Sequence, residues 1–92
     1  DELRAAREAE QARQQAIVQN MVDEAAAAFS ARKFDDAVDY AEEALAMDAK
    51  NEQAFDIREA AFKAGRDSAS DDYIREKTEQ YARWREHLAE MF

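Results

Sequence analysis

The stretch "FDDAVDYAEEALAMDAKN", residues 34–51, places its smallest side chains at helical spacing, with Ala37, Ala41 and Ala44 four and three residues apart. Residues spaced in this way lie on one face of a helix. Large apolar residues would be expected on a face that meets a core, but small side chains allow two helices to approach each other closely. The stretch therefore predicts a helix whose alanine face lies against a close neighbouring helix.

The composition predicts an all-α chain. The 92 residues include no proline and a single glycine, so little is present to break helices or to form tight hairpins. Alanine, glutamate and arginine are among the commonest residues, and all are strong helix formers. The length suits one domain or a piece of a larger protein.

The net charge of −9 argues against a nucleic-acid-binding protein, which needs a basic stripe, and against adhesion to anionic membranes. No stretch approaches the roughly 18 apolar residues of a membrane span, and no signal-peptide pattern opens the sequence. Because cysteine is absent, the sequence does not indicate whether the protein works in an oxidising or a reducing compartment. The location, cytoplasmic or periplasmic, depends on sequence upstream of Asp1.

Four helices are expected from the periodicity and the capping residues. Asn51 and Ser70 are the expected N-caps of the third and fourth helices, and Gly65 is expected to end the third in a left-handed conformation. The predicted bounds are about 3–31, 35–47, 52–64 and about 71–90.

The first predicted helix has two unlike halves. Its opening half, "LRAAREAEQARQQA", is polar nearly all round, with a thin seam formed by Ala5, Ala9, Ala12 and Ala16. That half either projects as a partly frayed helix or packs its seam against a helix from another chain or from further sequence. The closing half carries an ordinary apolar face formed by Ile17, Met21, Ala25 and Ala28.

The sequence contains a short internal repeat with the period of helix-pair repeats. Residues 27–32 read "AAFSAR" and residues 60–65 read "AAFKAG", 33 residues later. Two antiparallel helices joined by a short turn would nest through Ala25 on one and Ala37 and Ala44 on the next. Phe34 and Leu45 would fill the two ends of that contact.

This pattern resembles the tetratricopeptide repeat (TPR). The 34-residue motif of that family carries small residues at its eighth, twentieth and twenty-seventh positions, and counting from Val18 these are Ala25, Ala37 and Ala44. Phe34 corresponds to the aromatic residue before the second helix of the motif. The sequence departs from the motif at the usual proline, the turn glycine and the early leucine, which are replaced by Ala49, Arg32 and Glu24.

The resemblance implies antiparallel helix pairs in a TPR-like right-handed α–α superhelix of about four helices. It divides the chain into a polar N-terminal helical extension (1–16), a helix pair plus the first helix of a second unit (17–67), and a C-terminal capping or divergent helix (68–92).

The resemblance also implies a partner-binding groove, because the first helices of successive pairs line a concave surface in this family. Val22, Ala26 and Phe29 would form an apolar strip for a peptide side chain, or else core beneath the fourth helix. Family members that grip C-terminal carboxylates use a lysine and an asparagine where Val22 and Ala26 stand, so that function is not implied. The groove positions are Gln19, Val22, Ala26, Phe29, Gln53, Asp56, Ala60 and Lys63.

The fourth helix has a seven-residue apolar pattern that is interrupted at Lys77. Core packing against the third helix would explain this pattern, whereas an exposed Trp84 or Phe92 would be the leading partner-binding residue, since buried aromatics dominate interface energies. The apolar positions are Ile74, Tyr81, Trp84, Leu88 and Met91.

No constellation of residues indicates an enzyme, a cofactor site or a metal site. His87 and Glu90, three apart on a helix, are too few ligands for a metal. The serines suit caps and turns, and no base is placed beside any of them. The acidic pairs suit solvated helix surface, since no loop alternates ligands as an EF-hand does. The serines are Ser30, Ser68 and Ser70, and the acidic pairs are Asp35–Asp36, Glu42–Glu43 and Asp71–Asp72.

Two functions of different classes follow as expectations. The first is a protein-interaction module that acts as a scaffold or assembly factor and binds a segment of a basic or neutral protein. The second is a structural spacer that oligomerises through its terminal helices. In its overall sequence character, and not in any motif, the chain is similar to the alanine-rich, single-repeat segments that precede the ring-forming parts of some bacterial secretins and pilus-assembly proteins.

Overall fold

The computed structural model describes residues 1–66 and 69–91, without the side chains of residues 87–91. Over this range the chain forms four α-helices and no strand, which confirms the all-α prediction. Each helix begins and ends within two residues of its predicted bounds. The helices are α1 (Glu2–Ser30), α2 (Phe34–Met47), α3 (Glu52–Arg66) and α4 (Asp71–Met91).

Both predicted N-caps are confirmed. The side-chain oxygen of Asn51 accepts a hydrogen bond from the Ala54 N–H at 2.9 Å, and the hydroxyl oxygen of Ser70 accepts one from the Tyr73 N–H at 3.2 Å. Each cap satisfies a backbone N–H that a helix start leaves without an intrahelical partner. These two residues therefore fix where α3 and α4 begin.

Arg32 takes a left-handed conformation, and the prediction that Gly65 does so is wrong. Gly65 lies inside α3, which continues to Arg66, and it does not have a positive φ, whereas Arg32 has a φ of 60°. The Arg32 N–H donates to the Phe29 carbonyl at 3.0 Å and the Lys33 N–H donates to the Ala28 carbonyl at 2.9 Å. This is the Schellman pattern of a helix C-terminus, in which glycine is the usual left-handed residue.

We expect Arg32→Gly to be more stable than Arg32→Ala by about 1 kcal/mol, since a left-handed conformation costs a residue with a Cβ about that much. Both variants lose the exposed ion pair in which the Arg32 guanidinium lies 3.2 Å from Asp71, so their difference isolates the backbone strain. Urea unfolding followed by circular dichroism measures it. Equal midpoints in the two variants would contradict the assignment of strain to residue 32.

The core between the helices is built largely from alanine. Ala25, Ala37 and Ala44 are each 0% exposed, and α2 packs extensively on both α1 and α3. The prediction that these three alanines face a neighbouring helix is confirmed. Their burial follows from the short turn at residues 31–33, which returns the chain along α1 and brings the two small-residue faces together.

The first half of α1 stands clear of this core. Every residue from 1 to 17 is exposed, Val18 is the first buried residue of the helix, and the molecule measures 54 Å along its longest axis against 27 and 17 Å along the others. Within the chain the predicted extension thus projects as a helix. Packing of its alanine seam on another chain stays a prediction.

Candidate partner-binding surface

An aromatic chain connects α4 to α1. The ring of Tyr81 on α4 meets the ring of Phe29 on α1 edge to face, with centroids 5.2 Å apart, and Phe29 meets Phe34 at 5.3 Å in the same manner. Phe29 and Tyr81 are both 0% exposed. Since edge-to-face pairs add to the stabilisation from buried area, these three rings fix α4 on top of α1.

The apolar strip of the predicted groove is therefore core. Val22 and Ala26 are each 2% exposed, and Phe29 lies beneath Tyr81. Of the two interpretations drawn from the sequence, burial under the fourth helix is the one that describes Phe29. Ala60, on the α3 side, is likewise buried at 1% exposure.

A polar cluster of Asp56, Lys77 and Tyr81 joins α4 to α3. The Tyr81 hydroxyl donates to the Asp56 carboxylate at 2.7 Å, and the Lys77 ammonium donates to both oxygens of the same carboxylate at 3.2 Å. Lys77 interrupts the apolar pattern of α4 because it pairs with this carboxylate at the edge of the interface. Asp56, predicted to contact a partner, is thus engaged by α4.

Burial raises the pKa of Tyr81 well above its usual range, and the hydrogen bond to the Asp56 carboxylate and the charge of that carboxylate raise it further. A tyrosinate at this place would lose its hydration and would lie beside a second negative charge. Tyr81 is consequently held as a neutral hydroxyl, and it can serve as a donor to Asp56 wherever the fold persists.

The raised pKa of Tyr81 predicts a loss of stability at alkaline pH. The contribution of this group is complete below the unfolded pKa of about 10 and falls as the pH rises above that value, because the unfolded chain then releases a proton that the folded chain retains. We expect the difference in unfolding free energy between the wild type and Tyr81→Phe to be constant from pH 8 to about 9.5 and to shrink by pH 11. Urea titrations at each pH measure it. A difference that stays the same at pH 11 would show that Tyr81 ionises equally in both states.

Besides Asp56, four predicted partner-contact residues keep accessible surface. Lys63 is exposed, with its ammonium 4.4 Å from the centroid of the Tyr73 ring, and Gln19 and Gln53 are half-buried. Trp84 is also half-buried, with its ring 4.9 Å from that of Tyr81. Asp56 and Lys63 line the same open groove of about 420 Å³ between α3 and α4.

Sequence reasoning missed a second groove, of about 460 Å³, beside α1 at the connection between α2 and α3. The glutamine-rich stretch "QARQQ", residues 11–15, was the signal for it in the sequence, and the structure adds Met47, which is 48% accessible. Its lining is Gln11, Gln14, Gln15, Val18, Gln19, Met47, Asp48 and Asn51.

The remaining candidate residues take structural places or lie outside the described part of the chain. Ser30 donates from its hydroxyl to the Ala26 carbonyl at 3.1 Å, as a serine in the last turn of a helix does. Ser68 and Phe92 lie outside the described residues, as do the side chains of His87 and Glu90.

The described residues contain neither a cluster suited to a metal ion nor a helix suited to a membrane crossing. No group of three or more acidic or histidine side chains is arranged to hold a metal ion in that part of the chain. Within the same residues, no helix combines the length and the apolar character that a membrane crossing requires.

In comparisons with known proteins, no family model, no curated protein and no solved structure matches this chain.

Proposed function

We propose that the chain is a TPR-like protein-interaction module that acts as a scaffold or assembly factor by holding a segment of a partner protein across α1 and α3. The observation that carries the proposal is the position of α4, which touches Phe29 of α1 and Asp56 of α3 at the same time. A helix therefore fits this face, whose residues are those that the TPR resemblance assigns to a groove.

The charge of the molecule supports a basic or neutral partner. The chain carries a net charge of −9, and the carboxylate of Asp56 lies at the edge of this face with its side chain 34% exposed. A negative field raises the association rate of basic segments and disfavours acidic ones. Binding energy comes from apolar area, and the charge selects among partners.

Selection of helical peptides from a displayed library on the full chain tests this proposal. Enriched peptides are expected to be neutral or basic, with dissociation constants that rise as salt is added. In the isotope-labelled chain, their binding should shift the amide resonances of Gln19, Gln53 and Lys63. Shifts confined to the outer face of α2, or preference for acidic peptides with no salt dependence, would overturn it.

The projecting half of α1 favours a second candidate function, a structural spacer or oligomerisation segment of a larger assembly such as a bacterial secretin or pilus machine. Residues 2–17 of this helix are all exposed, and an isolated helix of about that length is marginal in water. Light scattering on the full chain separates the candidates. A stable oligomer that dissociates in an Ala9→Glu variant supports the spacer, and a monomer supports the interaction module.

A further inference from the structure

We infer that α4 is an exchangeable occupant of the α1–α3 face, and that the partner segment replacing it is an amphipathic helix with a lysine or arginine four residues before an aromatic side chain. This inference rests on the proposed function and specifies the partner and the regulation of the same face.

The described side chains of α4, residues 71–86, make a small apolar attachment to the rest of the fold. Among these side chains only Ile74 and Tyr81 are buried, and α4 packs much less extensively on α1 and α3 than α2 does. Stabilisation by burial scales with the apolar area removed from water. The described part of α4 is thus held by fewer buried contacts than the helices beneath it, and elements of this kind open at lower free energy than the rest of a fold.

Polar contacts make up much of the remaining attachment. Lys77 and Tyr81 share the Asp56 carboxylate, and Asp71 at the start of α4 pairs with Arg32. When α4 leaves, water can solvate each of these groups, so their loss is less unfavourable than exposure of an equal apolar surface. These contacts provide selectivity for a particular segment and contribute less to its affinity than the buried ring of Tyr81 does.

The spacing of the contact residues defines the chemistry of a replacement helix. Residues four apart lie on the same face of a helix, so one turn of α4 presents both the Lys77 ammonium and the Tyr81 ring. The ring covers Phe29 while the ammonium and the hydroxyl reach Asp56. A foreign helix with a basic residue at i and an aromatic residue at i+4 can satisfy Phe29 and Asp56 in the same way.

Removal of α4 without a replacement is unfavourable, because it would leave the ring of Phe29 in water. Because exposure of a phenylalanine ring to water is unfavourable, the uncovered state is a minor one. The internal helix therefore lowers the apparent affinity for any partner by the fraction of molecules in which the face is free. A partner must match the chemistry of α4 to compete with it. The internal helix therefore makes the face selective among partners.

A peptide of residues 71–91, with Trp84 replaced by phenylalanine, tests the exchange in trans on the full chain. Trp84 is the only tryptophan of the protein and it packs on Tyr81, so its emission reports whether the internal α4 is in place. The chain variant Lys77→Ala weakens the internal helix but leaves the face on α1 and α3 intact. Arg83→Ala, an exposed position of the same helix, is the control for loss of a positive charge.

We expect the peptide to bind Lys77→Ala about 5–10-fold more tightly than it binds the wild type or Arg83→Ala, with a red shift of the Trp84 emission. A peptide that also carries Tyr81→Ala should not bind. If Lys77→Ala loses helicity, the milder chain variant Tyr81→Phe replaces it in the test. The peptide is then expected to bind Tyr81→Phe more tightly than it binds the wild type.

Two results would overturn the inference. Equal peptide affinity in the wild type and in a helical Lys77→Ala or Tyr81→Phe chain would show that α4 does not compete for the face. Binding that shifts the Gln19, Gln53 and Lys63 resonances without moving the Trp84 emission would show that partners bind beside α4, and in that case the proposed function would stand without the exchange.

Discussion

Replacement of Phe29 with alanine is expected to lower the free energy of unfolding by about 3–5 kcal/mol, the usual range for a fully buried aromatic residue. Phe29 is 0% exposed, and its ring contacts those of Phe34 on one side and Tyr81 on the other. The truncation would leave a cavity at the point where α1, α2 and α4 meet. Such a loss is a large part of the stability of a domain of this size.

Phe55→Ala is the matched control for this change, because it removes the same side chain from α3 where 55% of the residue is exposed. Its effect should be no more than about 0.5–1 kcal/mol. Urea unfolding of both variants, followed by circular dichroism at 222 nm, gives the comparison. Similar midpoints for the two variants would mean that Phe29 is not the residue on which the aromatic contacts depend.

The variant Ala37→Leu is expected to destabilise the chain by about 1–3 kcal/mol or more, through overpacking. Ala37 is 0% exposed and lies on α2, which packs extensively on α1. A leucine has no space there unless the two helices move apart, which would also loosen the contacts of Ala25 and Ala44. The intrinsic helix propensities of alanine and leucine are close, so the loss reports packing and not helix formation.

Ala46→Leu provides the control on the same helix, since Ala46 is exposed. It should leave the unfolding midpoint nearly unchanged. Thermal unfolding of the two leucine variants and the wild type measures the difference. A stable Ala37→Leu protein would show that the helices do not rely on small side chains to approach each other.

The helices and their contacts could be predicted from the sequence because the signals for them are local. Asn51 and Ser70 cap helices through hydrogen bonds within three residues, and the spacing of Ala37, Ala41 and Ala44 marks one face of one helix. The neighbour of that face follows from the short turn at residues 31–33. None of these inferences requires knowledge of a distant part of the chain.

The prediction for Gly65 failed because two positions compete for the left-handed conformation, and the sequence does not show which of them the turns require. Glycine tolerates a left-handed conformation best, yet the turn after α1 needs such a residue at position 32 and has an arginine there, while Gly65 remains helical. Composition could identify the residue best suited to the conformation, but it could not show where the turn would require it.

The place of α4 was open for a similar reason. A lysine within an apolar pattern is equally consistent with an interruption of the buried face and with an ion pair at its edge. The partner that decides between these, Asp56, lies 21 residues away in sequence. Only the folded arrangement shows that the candidate residues Phe29 and Asp56 are both engaged by α4.

The contrast between the two halves of α1 has a consequence for how the protein opens. Amide hydrogens along residues 5–16 should exchange with solvent on a timescale close to that of an isolated peptide, since only their own helical turns protect them. From Val22 to Phe29 exchange requires opening of the core, so protection there should approach that of global unfolding. The helix will unwind stepwise from its first turn and stop near Val18, and a protease acting on the native chain would trim it back to the same boundary.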